Sequence, residues 1–301
     1  MKLIIQIPCY NEEENLAKVI DELPKKIEGI DIIEYMVIND GSTDKTKKIA
    51  ERKGIHHIIN VFPNKGLANT FTTGIDHALK NGADIIVNID GDHQYSGKDV
   101  KKLVKPIIEG KADIVIGERQ IEKFSPLKRF LQRLGSLIIR FVSKTKVNDA
   151  PSGFRAYSRE EALKLNVYNQ FTYTLETIIQ AGSNKVKIEN VKIESFPNTR
   201  ESRLFKNEFQ YIYKSSANVI KSLFIYKPIR IWGIASIIFF VITITFFLIC
   251  GVNSIIPYAF LTFTIIFDVS SMQSISIQAN RKQLERIQYY LKKENYNNNG
   301  K

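Results

Sequence analysis

The first 118 residues alternate between short apolar runs and amphipathic stretches. Short apolar runs are typical of buried strands, and apolar positions spaced three and four residues apart are typical of helices. Strands are predicted at Leu3–Pro8, Ile33–Asn39, His57–Val61, Ile85–Asp90 and Ala112–Gly117, and helices at Glu14–Leu23, Asp44–Lys53, Leu67–Lys80 and Asp99–Glu109. This alternation implies βαβ units and therefore an α/β fold with a mostly parallel sheet.

Polar and turn-forming residues follow four of the predicted strands. They are Tyr10–Glu12, Asp40–Ser42, Asp90–Asp92 and Gly117–Arg119. The carboxyl ends of parallel strands lie at one edge of a sheet, where α/β proteins bind their ligands. The pattern therefore predicts a ligand site at this edge.

Residues 126–146 have the pattern of a basic amphipathic helix. Apolar side chains such as Phe130, Leu134 and Phe141 recur at helical spacing, and Arg129 and Arg133 are among the basic residues between them. Two interpretations fit equally well. The helix either packs its apolar side on a protein core or lies on a membrane surface.

Two apolar runs near the C-terminus predict a membrane hairpin. Ile231–Cys250 carries no charge and is long enough to cross a bilayer, whereas Ile255–Ile277 is interrupted by Asp268. A buried helix pair of a soluble protein is the alternative. Lysines and arginines flank the outer ends of the pair and are absent from the turn, which predicts that both chain termini are cytoplasmic. The residues after about 294 are predicted to be disordered.

The 301-residue chain has a formal net charge of +12, which favours partners with phosphate or anionic lipid groups. The predicted hairpin explains the basic flanks better than nucleic acid does, so we expect an anionic membrane surface and no nucleic-acid partner. The two cysteines, Cys9 and Cys250, lie in a strand and in an apolar run. They indicate neither a disulfide framework nor a zinc site.

The turn Asp90–Gln94 places two carboxylates two residues apart after a strand. Such oxygen ligands suit Mg²⁺ or Mn²⁺, which proteins often share with substrate phosphates. A departing diphosphate also needs its charge neutralised. A plain polar turn is the alternative interpretation.

Five further segments contain candidate functional residues. They are Pro8–Glu12, Asn39–Asp44, Pro63–Asn69, Asp149–Arg155 and Thr199–Leu204. Asp40 ends a strand and can accept a hydrogen bond from a nucleobase, while Ser42 or Thr43 is predicted to cap the next helix. Lys65 and the arginines of the last segment suit phosphate groups, with solvent or lipid headgroups as alternative partners.

In this order, the motifs resemble those of family-2 glycosyltransferases with the GT-A fold, in particular the dolichol- or polyprenyl-phosphate hexose synthases. The resemblance covers about residues 3–205. With the apolar runs, it predicts a GT-A domain at 1–200, a juxtamembrane amphipathic segment at 201–230, a transmembrane hairpin at 231–277 and a basic cytoplasmic tail at 278–301. The catalytic domain is expected on the cytoplasmic side of the membrane.

The resemblance also implies roles for individual residues. Donor binding is implied for Pro8, Tyr10, Asn11, Glu12, Asp40, Lys65, Asp90, Arg200, Ser202 and Arg203. The metal ion, Mg²⁺ or Mn²⁺, is expected on Asp90, Asp92 and Gln94. Acceptor binding is implied for Arg119, Arg129 and Arg133, and catalytic roles for Asp92, Asp149, Arg155 and Glu176.

The expected reaction is transfer of a sugar, with inversion, from a nucleotide-sugar to a membrane lipid, in particular polyprenyl phosphate. A lipid phosphate is ionised near neutral pH, whereas a hydroxyl acceptor needs a base such as Asp149 or Glu176. Two alternatives stay open. The acceptor is a hydroxyl of a cell-envelope glycan or glycolipid, or the protein binds a nucleotide-sugar without turning it over.

Overall fold

A computed structural model of the chain describes residues 1–121, 126–168, 173–196, 217, 219–251 and 253–298. The chain divides into two compact units. One comprises Met1–Lys214 together with Tyr289–Lys301, and the other comprises Ser215–Gln288. The first unit contains the predicted α/β domain, and the second contains the predicted hairpin.

A seven-stranded sheet forms the centre of the first unit. Its strands are β1 Lys2–Cys9, β2 Ile32–Asp40, β3 His57–Val61, β4 Ile85–Asn88, β5 Ile114–Glu118, β6 Arg155–Ser158 and β7 Ile188–Lys192. Their order is β3-β2-β1-β4-β6-β5-β7, and only β6 runs antiparallel to its neighbours. The five predicted strands and the mostly parallel sheet are therefore confirmed. The sequence pattern did not predict β6 and β7.

Seven α-helices of the first unit connect or follow these strands. They are α1 Leu16–Glu22, α2 Thr46–Arg52, α3 Leu67–Lys80, α4 Val100–Ile108, α5 Pro126–Ser143, α6 Arg159–Lys164 and α7 Thr174–Ser183. The apolar side of α4, with Leu103 and Val104, is buried in the same core as Ile5 of β1 and Val87 of β4. The four helices predicted before residue 118 are confirmed, and their apolar sides meet the apolar sheet that the strand pattern also predicts.

The antiparallel direction of β6 brings its first residue to the functional edge of the sheet. Asn88, the last residue of β4, pairs with Arg155, the first residue of β6. The turn at 149–154 therefore enters the sheet at the edge where β4 ends and Asp90 follows. A strand running the other way would leave this turn at the opposite edge.

The second unit contains two long helices, α8 Pro228–Cys250 and α9 Ile256–Asn298. Both are long and apolar enough to cross a membrane. Helix α9 passes through Asp268 without a break, and the Asp268 carboxylate accepts a hydrogen bond from Ser236 of α8 at 2.6 Å. Trp232 of α8 stacks on Phe267 of α9 with ring centroids 5.7 Å apart. Through these contacts the two helices pack against each other as a hairpin.

The end of α9 belongs to the first unit, and it corrects the prediction of disorder for residues 294–298, while residues 299–301 lie outside the described residues. Helix α9 continues to Asn298, and Tyr296 is buried. The Tyr296 hydroxyl donates to Asp76 of α3 at 3.2 Å, and the Tyr289 hydroxyl donates to Glu160 of α6 at 2.7 Å. The polar composition of this segment suggested disorder, but its tyrosines supply contacts with the α/β unit.

Candidate active site

The loop after β1 is held by the loop after β2. Asn11 donates its backbone N–H to Oγ of Ser42 at 2.9 Å, and its side-chain oxygen accepts the N–H of Thr43 at 2.8 Å. The helix cap predicted for Ser42 or Thr43 is therefore wrong. Asp44 accepts the N–H of Thr46 at the start of α2 instead, at 2.9 Å.

Asp40 is buried at the end of β2 and organises the turn before α3. One carboxylate oxygen accepts the N–H of Lys65 at 2.8 Å, and the other accepts the N–H of Gly66 at 2.9 Å. Asn64 donates its side-chain amide to the Asp40 carbonyl oxygen at 2.9 Å. Asp40 thus shapes the turn that carries the exposed Lys65 side chain.

The turn after β4 packs against the end of β1, since a Cβ atom on Gly91 would lie 2.8 Å from Sγ of Cys9. Oδ1 of Asp90 is buried and has no hydrogen-bond partner among the described residues. Burial, together with the charge of Asp92, raises the pKa of Asp90 to about 7. Gln94 donates both its backbone N–H and its side-chain amide to the Asp92 carboxylate.

These side chains fit a hard divalent cation. A buried carboxylate oxygen without a partner is costly, and a cation on Asp90 would remove that cost. In the part of the chain that the structure describes, no three His, Cys, Asp or Glu side chains are grouped to hold a metal ion. Two carboxylates and one amide form a smaller set, which Mg²⁺ commonly completes with water and substrate phosphates.

Asp149 and Arg119 form a buried ion pair at the same edge. Nε and Nη2 of Arg119 donate to the two oxygens of Asp149 at 2.8 and 2.9 Å. The Arg119 backbone N–H and the Gln132 side chain also donate to this carboxylate, at 3.1 and 2.7 Å. The candidate base and the candidate acceptor-binding residue therefore bind each other.

Arg155 is buried, and the catalytic role that the resemblance implies for it stays a prediction. Its guanidinium donates to the carbonyl oxygens of Ala150, Ser152 and Thr174 at 2.7 to 2.9 Å. It also donates to the hydroxyl of Thr177 at 2.9 Å. With no surface open to a substrate, Arg155 ties the turn at 149–154 to α7.

The other predicted site residues lie on α7, at the end of β1, on α5 and outside the described residues. Glu176 is buried in the first turn of α7 and accepts the N–H of Tyr168 at 3.1 Å. Pro8 and Glu12 are buried at the end of β1, whereas Tyr10 is 41% exposed there. On α5, Arg129 is half-buried and Arg133 is exposed. Arg200, Ser202 and Arg203 lie outside the described residues.

Three residues that the sequence interpretation missed contact Gly153 at this edge. They are Asn88, Tyr95 and Tyr173. Asn88 is the one polar residue of the otherwise apolar strand β4, and that contrast was available as a signal. The two tyrosines fit ordinary core positions, so nothing in the sequence distinguishes them.

Known proteins share both the sequence motifs and the fold. The family model described as Glycosyl transferase family 2 matches residues 4–164. A UDP-N-acetylglucosamine–dolichyl-phosphate N-acetylglucosaminyltransferase of Methanococcus voltae is 29% identical over 63% of this chain and 83% of its own length. A dolichol-phosphate mannosyltransferase of Pyrococcus furiosus is 29% identical over 62% of this chain, which spans 54% of that relative.

Solved structures agree on the fold. Glucosyl-3-phosphoglycerate synthase from Mycobacterium tuberculosis, determined with Mn²⁺, UDP and glucosyl-3-phosphoglycerate, superposes with a TM-score of 0.59. The two chains are 19% identical, and the match covers 74% of this chain and 78% of the other. The predicted GT-A fold is confirmed.

The seven-stranded sheet with its single antiparallel strand therefore belongs to a protein of the GT-A fold class. The chain belongs to glycosyl transferase family 2 and is a glycosyltransferase. The named dolichyl-phosphate enzymes confirm its predicted resemblance to the polyprenyl-phosphate branch.

Proposed function

We propose that the protein transfers a sugar from a nucleotide-sugar to a lipid phosphate at a membrane, with a divalent metal ion as cofactor. The observation that supports this acceptor is the burial of both candidate bases. Asp149 is 1% exposed and paired with Arg119, and Glu176 is 2% exposed. A hydroxyl acceptor must lose a proton to a base, whereas an ionised phosphate need not. The names of the two dolichyl-phosphate relatives support the same choice.

The donor is expected along the ends of β1, β2 and β4. The side chains of Tyr10 and Lys65 are exposed there, the first suited to a base or ribose and the second to a phosphate. Asp90, Asp92 and Gln94 would hold Mg²⁺ or Mn²⁺, which when bound neutralises the leaving diphosphate. Mg²⁺ and Mn²⁺ are both compatible with this oxygen set.

The chemical step forms one bond and breaks one. An oxygen of the acceptor phosphate attacks the anomeric carbon on the face opposite the nucleotide. The bond from that carbon to the diphosphate breaks, and the nucleoside diphosphate leaves with the electron pair. One displacement of this kind inverts the anomeric configuration.

The proposal is tested by incubating membranes that contain the protein with a panel of radiolabelled nucleotide-sugars. Label should move from one nucleotide-sugar into polyprenyl phosphate and give an acid-labile lipid product. Label that enters only hydroxyl groups of a glycan or glycolipid would contradict the lipid-phosphate acceptor. Nucleotide-sugar binding without any transfer would favour a non-catalytic role.

The apolar side of helix α5 faces outward, and this supports a location of the helix against the membrane. The side that packs on the unit carries Gln132, Ser136, Ile139 and Ser143, three of which are polar. Exposed side chains at helical spacing form the other side, which we call the outer face of α5: Phe130, Leu134, Leu137, Ile138 and Phe141, exposed by 42–83%. Of the two interpretations of this helix, packing of the apolar side on a core does not fit. We propose that this face lies in the lipid headgroup region, where Arg133 and Arg140 meet anionic lipids.

A tryptophan placed on this face should sense lipid. Trp232 is the only tryptophan of the chain, so Phe141→Trp in a Trp232→Phe background gives a single reporter. We expect brominated phosphatidylcholine and phosphatidylglycerol to quench its fluorescence, because position 141 is 83% exposed on the outer face. The matched control is Ile32→Trp, at a position that is 50% exposed at the start of β2. Equal quenching at the two positions would contradict the proposal.

We also propose that α8 and α9 cross the membrane with both termini in the cytoplasm. Basic residues at 227, 230, 281, 282 and 286 flank the hairpin, and the turn has none. Cys250 can be changed to serine, while Cys9 stays silent because burial raises the pKa of its thiol.

In this background, Asn253→Cys should react with an impermeant maleimide only from the non-cytoplasmic side of closed vesicles. Lys282→Cys, also exposed, is the control and should react only from the cytoplasmic side. Labelling of both positions from the same side would show that the hairpin does not span.

A further inference from the structure

The carboxylate of Asp90 lies directly against the backbone of Gly153. A Cβ atom added to Gly153 would stand 2.6 Å from Oδ2 and 3.1 Å from Oδ1 of Asp90. Only a residue without a side chain allows this approach. The position of Gly153 therefore limits where the carboxylate can lie.

Three buried side chains hold the peptide groups of Gly153. Its N–H donates to the Tyr95 hydroxyl at 3.2 Å. Its carbonyl oxygen accepts from the side-chain amide of Asn88 at 2.9 Å and from the Tyr173 hydroxyl at 3.2 Å. Asn88 also donates to the Tyr173 oxygen at 2.9 Å, so the contacts form one connected network. We call these three residues the Gly153 clamp.

The clamp is itself fixed from two sides. The Tyr173 ring stacks on Phe71 of α3 with centroids 3.7 Å apart and planes 2° apart. Gln6 of β1 donates its amide to the side-chain oxygen of Asn88 at 2.9 Å. Every member is at most 3% exposed, so solvent does not compete for these hydrogen bonds.

We propose that Tyr173, acting with Asn88 and Tyr95, is a positioning residue for the metal-binding carboxylate of Asp90. The clamp joins the two turns that meet at the edge of the sheet, one with the predicted metal ligands and one with Asp149. It fixes Gly153, and Gly153 fixes the direction of the Asp90 oxygens. The inference rests on the proposed function, because it assumes that Asp90 binds the divalent ion. Residues that orient metal ligands from behind typically contribute 10–100-fold in metal affinity.

Two tyrosines of the same core provide a matched pair of variants. Tyr157 is fully buried, and its ring lies 5.8 Å from the same Phe71 ring. Its hydroxyl has no hydrogen-bond partner among the described residues. Tyr173→Phe and Tyr157→Phe therefore remove the same atom from neighbouring sites, and only the first removal touches Gly153.

The proposal is tested by measuring the Mn²⁺ affinity of the purified full-length protein. Electron paramagnetic resonance gives the concentration of free Mn²⁺ in the presence of UDP or GDP. Tyr173→Phe should weaken Mn²⁺ binding by about 10-fold or more, with Tyr157→Phe near the wild-type value. Tyr95→Phe removes a second member of the clamp and should weaken binding in the same direction. In transfer assays, Tyr173→Phe should raise the Mn²⁺ concentration for half-maximal rate more than the KM for the acceptor.

A purely structural role would lower the melting temperature of Tyr173→Phe and leave Mn²⁺ affinity equal to that of Tyr157→Phe. That result would overturn the positioning role. Wild-type protein that binds no Mn²⁺ with either nucleotide would instead overturn the metal-dependent function on which the inference rests. The two failures are therefore distinguishable.

Discussion

Asp92→Ala should reduce sugar transfer by about 10³-fold while the protein still folds and inserts into membranes, because it removes charge stabilisation of the leaving diphosphate. Asp92 lies in the turn after β4, and its hydrogen bonds with Gln94 stay within that turn. The measurement is initial rate at saturating donor, with circular dichroism to verify folding.

Chelation should reproduce the effect of this substitution. EDTA is expected to stop transfer by the wild-type enzyme, and Mn²⁺ or Mg²⁺ in excess should restore it. Asp99→Asn is a useful control, since Asp99 accepts the backbone N–H of Glu194 and is not one of the predicted metal ligands. Full activity of the wild type in a rigorously metal-free assay would remove the metal ion from the mechanism.

Asp149→Ala should destabilise the α/β unit by about 3–5 kcal/mol, because it leaves the guanidinium of Arg119 buried without its partner. The side chains of Asp149 and Arg119 are only 1% and 13% exposed. Denaturant unfolding of the detergent-solubilised protein measures the change. Glu109→Ala is the control, because the exposed ion pairs of Glu109 with Lys105 and Lys111 should contribute little to stability.

A second substitution distinguishes an ion pair from a catalytic base. Arg119→Met in the Asp149→Ala background should recover part of the lost stability, since it removes a largely buried charge that has lost the Asp149 carboxylate. Asp149→Asn keeps the shape of the side chain and should retain measurable transfer. An Asp149→Asn variant of normal stability without any transfer would identify Asp149 as a base instead.

The sequence was sufficient to predict the parallel part of the sheet, because each strand there is a separate apolar run bounded by turns. His57–Val61 and Leu67–Lys80 were predicted with the bounds that the structure shows. The edge of the sheet that carries Asp40 and Asp90 followed from the same pattern, since parallel strands end together.

The strands after residue 150 could not be predicted in this way. Strand β6 has four residues, and its first, Arg155, is a charged residue buried by hydrogen bonds to carbonyl groups. A charged residue in a short run indicates a surface loop unless its partners are known. The partners of Arg155 come from α7 and from the turn at 149–154, so only the tertiary structure identifies them.

The candidate site was predicted by position more successfully than by role. The pattern placed Arg119 at the edge of the sheet and the resemblance implied a catalytic role for Asp149, but neither could show that the two residues bind each other. Side-chain pairing depends on distances between segments 30 residues apart in the chain. The same limit applies to Asp40, whose carboxylate is occupied by the backbone of Lys65 and Gly66.

The return of α9 to the first unit has a consequence for the order of events during synthesis. The chain rejoins that unit at Tyr289, within the last part of α9 and after both apolar runs. Translation proceeds from the N-terminus, so the contacts of Tyr289 with Glu160 and of Tyr296 with Asp76 form last. The ribosome has therefore already produced the whole hairpin when the α/β unit acquires its final helical turns. A nascent chain that stalls before the hairpin carries an incomplete catalytic unit.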